Sequence, residues 1–394
     1  MPLRPPAGFI SAFFDPLRNP NAPTIGTATG GDASASVTFT APTNVGGSAI
    51  TSYSALSTPG GIVASAASSP ISVTGLTNGT AYTFAVWATN TYGPSAYSAA
   101  SGSVTPDIRG LFAGGTAAGN TNVISYISIP TTGNATDFGD LTGAVDAPGS
   151  CSSSTRGLWA GGYGGSAQNV IGYVTIASTG NATDFGDLPQ LIAYLSGCSS
   201  STRGLFAGGY NYTVSSETNI ISYVTIASTG NATDFGDLTI QRTGPGACAS
   251  PTRGVFAGGY TGSGNSNVID YVTIASAGNA TDFGDLSGTA GQGPAGCSNS
   301  TRGVFGGNIG GSGQMVYITI ASTGNSTTFG NLVTNNTYMA ACSSSTRGVF
   351  AGGTSAGNVI QYITFASPST STDFGDLTQS TYNFAGCSSG HGGL

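Results

Sequence analysis

The chain has 394 residues, 64 of them Gly and 18 Pro, with nine Arg, no Lys, fifteen Asp and one Glu (Glu217), for a net charge of −7. A charged fraction of 6%, against about 25% in ordinary domains, leaves no basic cluster, which argues against nucleic acid as a partner because counterion release needs Lys or Arg. A hydrophobic fraction of 39% is enough for a core, the scarcity of Glu and Lys disfavours helix, and no run of about 18 apolar residues offers a membrane span.

In chain order, residues 1–21 come first. They carry an apolar stretch with Phe9, Ile10, Phe13 and Phe14, interrupted by Gly8 and Ser11. It is short for a secretory h-region and no small-x-small cleavage site follows, so it reads as mature sequence. Residues 22–106 alternate apolar and polar positions in short runs: Ser36 to Thr40, Ile50 to Tyr53, Ile71 to Val73 and Tyr82 to Trp87. Gly, Pro and Asn turns separate them, which predicts short strands.

The rest of the chain is repetitive. Arg followed by Gly and an apolar pair recurs at Arg109, Arg156, Arg203, Arg253, Arg302 and Arg347, with spacings of 47, 47, 50, 49 and 45 residues. Each unit continues with a Gly pair, a variable stretch and an alternating run such as Ile220 to Thr225. A Thr-Gly-Asn-Ala turn, an Asp-Phe-Gly-Asp segment, a second variable stretch and a strand containing Cys complete it. Period-2 alternation punctuated by Gly and Asn predicts four short strands per unit and no helix. The first unit lacks its Cys strand, and the chain supplies one at the far end, Ala385 to Ser389, so the last strand is expected to complete the first unit. Six units of four strands point to a β-propeller over residues 107–394, closed so that no edge is exposed.

The Gly pair ending the second strand, the aromatic of the third (Tyr126, Tyr173, Tyr223, Tyr271, Tyr317, Tyr362) and that of the fourth (Phe138, Phe185, Phe235, Phe283, Phe329, Phe374) resemble the kelch repeat, with Phe in place of the usual fourth-strand Trp. Leu76 to Tyr82 is similar to the fibronectin type III pattern, in which a tyrosine corner precedes the sixth strand. The usual second-strand Trp is absent there, with Phe39 near that place. The expected fold class is therefore all-β: a fibronectin-like sandwich over residues 22–106, then a six-bladed kelch-like propeller.

The repeated residues invite structural readings. Cys151, Cys198, Cys248, Cys297, Cys342 and Cys387 sit at one place in each unit, too far apart for disulfides, and are expected as buried thiols. Ten of the sixteen acids are the Asp pairs of the Asp-Phe-Gly-Asp segments, and the two turns they share with the repeat Arg fall on one face. Arg–Asp pairs are expected to stitch that face. No twelve-residue calcium loop is present, and no metal or other cofactor is expected. The sequons at Asn134, Asn181, Asn231 and Asn279 recur too regularly for glycosylation sites and read as turn residues.

With one His (His391) and one Glu, both outside the repeat, acid–base and multi-His metal chemistry have no material, and no enzyme is expected. Binding is the stronger reading. The two variable stretches of each unit emerge on one face, and loops on a rigid scaffold are where recognition lives. They hold Tyr163, Tyr194, Tyr210, Tyr212, Arg242, Tyr260, Tyr338 and Tyr382, with Asn308 and Phe384, among Gly, Ser, Thr and Asn. That composition suits adaptable, low-charge recognition of neutral sugars or protein.

The whole arrangement resembles bacteriophage tail-fibre or virion-appendage proteins. The resemblance implies a virion location, an N-terminal segment (Phe9, Ile10, Phe13, Phe14) docking onto other virion proteins, and a propeller face binding a host glycan or receptor. A decoration protein of capsid or tail, binding only virion subunits, is the alternative. Membrane insertion is not expected, and homo-oligomerisation is left open.

Overall fold

The computed structural model describes residues 17–394 except 32, 78–79, 311–312 and 355–356. The apolar segment with Phe9, Ile10, Phe13 and Phe14 lies outside the described residues. The protein is all-β, built from antiparallel sheets, and no helix among the described residues is long and apolar enough to cross a membrane. It divides into two compact units between Asp107 and Ile108.

The first unit contains a three-stranded sheet, Thr24–Gly31, Ser34–Thr40 and Ile71–Thr74, and a four-stranded one ordered Val63–Ala66, Ser52–Thr58, Thr83–Asn90, Gly93–Pro94. Alternating residues of both, among them Val37, Phe39, Tyr53, Ala55, Ile71, Val73, Phe84 and Val86, form one buried core. The Tyr82 hydroxyl accepts a hydrogen bond from the Thr77 N–H at 3.0 Å, anchoring the chain just before the Thr83–Asn90 strand. Beside that strand, Ser95, Ser98 and Ser101 accept from the N–H groups of Ala88, Val86 and Phe84 at 2.9–3.0 Å, so hydroxyls at every third position satisfy donors that a paired strand would otherwise take.

The second unit holds six sheets of four strands, each in sequence order from the Cys strand outward. The first is the exception in chain order: Ala385–Ser388 pairs with Arg109–Ala113, placing Cys387 opposite Leu111. The innermost strands lie side by side in succession, and Ala385–Ser388 touches both Gly149–Ser152 and Ala340–Ser343.

Four contacts recur from junction to junction, and each explains part of the repeat sequence. The Cys side chain fills the place where the next sheet's repeat Gly would carry a Cβ. Cys151 Sγ would be 2.4 Å from a Cβ at Gly204, and Cys342 Sγ, in the sixth sheet, 2.5 Å from one at Gly110 in the first. All six thiols are buried and unbridged, as read from their spacing, and burial raises their pKa values, to about 12 at Cys198 and Cys387.

The second contact overturns the expected Arg–Asp stitching. Each repeat Arg lies over the third-strand Tyr of its own sheet, 4.5–4.9 Å from the ring centroid. Its Nη1 donates to a backbone carbonyl of the next sheet: Arg109 to Ile176, Arg156 to Ile226, Arg203 to Ile274, Arg253 to Ile320, Arg302 to Phe365 and Arg347 to Ile129. No repeat Asp forms a salt bridge with these Arg among the described residues; Asp137 and its equivalents are exposed. A π face and a carbonyl in a half-buried groove hold the guanidinium better than a solvated carboxylate, whose pairing gains little in water.

The third and fourth contacts use the Asn turn. Asn181 Oδ1 accepts from the Asp140 N–H at 3.1 Å, and the same bond joins Asn134 to Asp376, from first sheet to sixth. These Asn therefore do more than shape a hairpin: they tie neighbouring sheets. The Gly of each Asp-Phe-Gly-Asp segment sits against the next turn, so that a Cβ at Gly139 (φ 148°) would lie 2.5 Å from the Gly180 oxygen. A register shift at this point in all six sheets turns the Phe inward, edge-on to the third-strand Tyr.

Candidate functional site: a tyrosine–carboxylate cluster above an axial cavity

Two adjoining cavities lie among the innermost strands of the second unit, of about 110 Å³ and 50 Å³, sharing Ser150, Gly197, Ala247, Gly296, Ala341 and Gly386 in their walls. The smaller is ringed by serine hydroxyls. Ser152 donates to the Ser388 oxygen, Ser388 to Ser343, Ser343 to Ser298, Ser298 to Ala249 and Ser199 to Ser152, all at 2.6–2.8 Å. Ala249 carries no hydroxyl, so the Ser199 oxygen receives none from that position. The chain end covers this gap, with the Gly393 backbone packed against the Ser199 oxygen and Gly392 against that of Ala249. His391 is fixed beside it: Nδ1 accepts from the Gly393 N–H at 3.0 Å, so Nε2 carries the proton toward the Ser152 oxygen at 3.0 Å. This role for His391 was not readable from its position near the end of the chain.

The larger cavity is bounded by Ala147, Tyr194, Gly244, Gly293, Tyr338 and Asn383, one from each repeat and all at positive φ between 50° and 82°. Backbone bonds link them in turn: Tyr194 N–H to Ala147, Gly244 to Tyr194, Gly293 to Gly244, Asn383 to Tyr338 and Ala147 to Asn383. A left-handed backbone costs a non-glycine residue of order 1 kcal/mol, and here it aims Tyr194, Tyr338 and Asn383 over the mouth. Among the described residues, no charged side chain is in the cavity lining.

The loops around this mouth are stapled to one another. Asp146 bridges to Tyr163, Thr243 to Tyr260 and Tyr382 to Thr116 by paired backbone bonds. The longest variable loop forms its own hairpin, Tyr210–Asn211 with Ser216–Glu217, paired in turn to Ile192–Ala193. Tyr210 and Tyr212 thus stand on fixed backbone. Tyr212 stacks on Tyr163 with centroids 5.6 Å apart at 29°, and meets Tyr210 edge-on at 5.0 Å.

Asp146 sits beside these rings. Its carboxylate lies near the Asn383 side chain, and Oδ1 is buried and has no hydrogen-bond partner among the described residues. Burial raises the Asp146 pKa above the ordinary carboxylate value. The Tyr194 phenol is pushed up to about 12, first by burial and then by Asp146, Tyr212, Tyr338 and Tyr382. Tyr212 is raised by burial, Asp146, Tyr163 and Tyr210. On the far side, Tyr338 Oη reaches Gln292 Oε1 at 3.4 Å, and Gln292 Nε2 donates to Thr243 Oγ1 at 2.6 Å.

The structure therefore brings Tyr163, Tyr194, Tyr210, Tyr212, Tyr338 and Tyr382 into one neighbourhood. Tyr260 stands apart, its hydroxyl turned back to the Gly262 carbonyl at 3.0 Å. Arg242 is a correction: it is fully buried, paired with Asp270 at 2.7 Å and bonded to the Val268 and Phe256 carbonyls, so it belongs to the interior of the fourth sheet and not to the loop face. Asn308 anchors Gln292, and Phe384 is buried. Sequence reasoning missed Asp146, Asn383 and Gln292. Asp146 had a signal, being one of the six acids left once the repeat Asp pairs are set aside.

Acceptors, hydroxyls and π faces make up this loop surface, and the molecule bearing it is an all-β protein of repeated antiparallel sheets. The chain matches no protein-family model and no curated protein.

Proposed function

We propose that the chain is a non-enzymatic virion surface or tail-fibre protein whose variable-loop face binds a host surface receptor, glycan or protein. In this reading the six sheets are the blades of a kelch-like propeller, the first unit is a fibronectin type III-like spacer, and residues 1–21 dock onto the particle. Junction contacts that recur from the sixth sheet to the first support the propeller, and the Tyr82–Thr77 bond supports the spacer's tyrosine corner. The observation that carries the function is the gathering of loop tyrosines, from inter-sheet and hairpin loops alike, around one cavity mouth.

The test separates docking from recognition. Full-length chain is measured for adsorption to host bacteria, and particles are made with and without residues 1–21. Adsorption by the chain, with particle incorporation lost on deleting residues 1–21, is the expected result. A chain that is incorporated but never adsorbs to cells overturns the receptor reading in favour of a decoration protein bound only to virion subunits.

A further inference from the structure

We propose that the larger cavity is a subsite for the acetamido group of an N-acetylated hexosamine. The methyl lies inside, the carbonyl accepts from the Tyr194 hydroxyl, and the N–H donates to the Asn383 side-chain carbonyl. The proposal rests on the receptor-binding reading above and names the chemical class of its ligand.

Four observations carry it. The first is size. At about 110 Å³ the cavity is smaller than the roughly 150 Å³ that accommodates a benzene molecule. A pyranose with its hydroxyls is too large to enter, whereas an acetamido group is small enough. The sugar ring therefore stays at the mouth and one appendage goes in.

The second is the wall. Pro148, Leu195, Pro245, Pro294, Met339 and Phe384, one from each repeat, line it together with Gly and Ala residues of the innermost strands. Apolar side chains suit a methyl group, and no charged side chain lines the space to hold water against it. The two serines of the wall, Ser150 and Ser196, give their protons to the Gly386 and Pro245 carbonyls. Donors for a ligand carbonyl come from the mouth.

The third is the Tyr194 hydroxyl. It makes no hydrogen bond among the described residues, and it is not enclosed, so it opens to solvent where Tyr194 borders the cavity. With its pKa pushed up to about 12 it is a donor at neutral pH. An aliphatic side chain of a protein partner would cover this hydroxyl without answering it, at a cost of about 1–3 kcal/mol. An amide answers it.

The fourth is strain at the mouth. Tyr194, Tyr338 and Asn383 hold φ of 58°, 58° and 54°, a turn that Gly244 and Gly293 make without penalty in the neighbouring repeats. Three larger side chains are kept there at a cost of order 1 kcal/mol each, the pattern of backbone strain retained for recognition.

The experiment titrates the full-length chain with the methyl glycosides of N-acetylglucosamine and N-acetylgalactosamine, and with those of glucose and galactose, read by saturation-transfer NMR. At least one N-acetylated sugar is expected to bind, with strongest transfer at its acetamido methyl and at least tenfold weaker binding of its parent hexoside. Tyr194→Phe should weaken it about threefold or more. Asn383→Gly, which keeps the left-handed turn, should do the same, and thermal melts check that both variants fold. Equal binding of the parent hexosides, strongest transfer at ring protons, affinity unchanged in both variants, or no binding of either N-acetylated sugar overturns the subsite. Adsorption to cells is scored separately. A chain whose adsorption is abolished by protease treatment of the cells, and untouched by excess N-acetylated sugar, has a protein receptor; the receptor reading stands and this subsite falls. Acetamido binding that depends on Tyr194 in a chain that does not adsorb keeps the subsite and overturns the receptor reading.

Discussion

Arg347 donates from Nη1 to the Ile129 carbonyl at 3.0 Å, joining the sixth sheet to the first across 218 residues of sequence. Its guanidinium lies 4.7 Å from the Tyr362 centroid, and the other five repeat Arg hold the same place. A carbonyl and a ring, and no carboxylate, are thus what the repeat Arg serves. Replacing Arg203 by Ala removes one charged hydrogen bond and one cation–π contact, a loss of about 2 kcal/mol. Asp234→Asn, in the segment expected from sequence to pair with the repeat Arg, changes stability by less than about 0.5 kcal/mol. Urea denaturation of the two variants checks the contrast; equal losses would restore the ion-pair account.

Gly204 and Cys151 are complementary in volume. A Cβ at Gly204 would lie 2.4 Å from the Cys151 sulfur, in a junction with no slack. Gly204→Ala is expected to cost about 1–3 kcal/mol by overpacking. Adding Cys151→Ala vacates the space, so the double variant should be more stable than Gly204→Ala alone. Denaturation midpoints for the cycle measure a coupling of opposite sign to the single losses; simple additivity would show that the contact does not fix the junction.

Arg242 and Asp270 pay for burial on both sides. Desolvation lowers the Arg242 pKa to about 10 and raises that of Asp270 in spite of their attraction, and Arg242 Nε has no partner among the described residues. Asp270→Ala leaves a buried uncompensated cation and should destabilise by about 3–5 kcal/mol. Arg242→Met combined with Asp270→Ala should cost less than Asp270→Ala alone, since the stranded charge is gone. Thermal unfolding of the three variants decides it.

His391 makes the chain end acid-sensitive. Burial lowers its pKa from the ordinary value of about 6.5, and Nδ1 must stay unprotonated to accept from the Gly393 N–H. A depressed folded pKa means that the contribution is complete above the unfolded value and is lost as pH falls through the folded one. The side chains against it are the Ser152 and Ser199 hydroxyls and the neutral thiols of the same cavity, with no carboxylate in that lining to stabilise an imidazolium. Hydrogen exchange at Gly393, corrected for the intrinsic rate, should therefore lose protection as pH falls below about 6.5, beyond the change at Gly110. In His391→Ala that protection should be low throughout. Equal pH response at the two glycines would remove His391 from control of the segment.

The strands, the six-unit period and the pairing of Ala385–Ser388 with Arg109–Ala113 were legible because alternation and repetition are properties of sequence alone. The partner of each Arg was not. Alternation places Arg203 and Asp234 on one face, but only the junction geometry reveals that the Ile274 carbonyl and the Tyr223 ring are closer. Burial of Arg242 was hidden for a similar reason: its partner Asp270 stands where other repeats carry Ser125, Gly172 or Ser222, a single departure from the pattern 28 residues away. The tyrosine cluster was half legible. Composition singled out its rings, whereas Asp146 and Asn383 gain their meaning from the left-handed turns that lift them to one mouth.

Because the junction of the last and first sheets uses the same Cys–Gly, Arg–carbonyl, Asn–amide and Gly–Gly contacts that join sheets adjacent in sequence, chain order carries little structural information in the second unit. A gene for such a protein can exchange whole units, each with its own loops, by recombination between the near-identical repeats. The variable loops could then be dealt anew without redesigning the joints, so that loop sequence and scaffold change independently of one another.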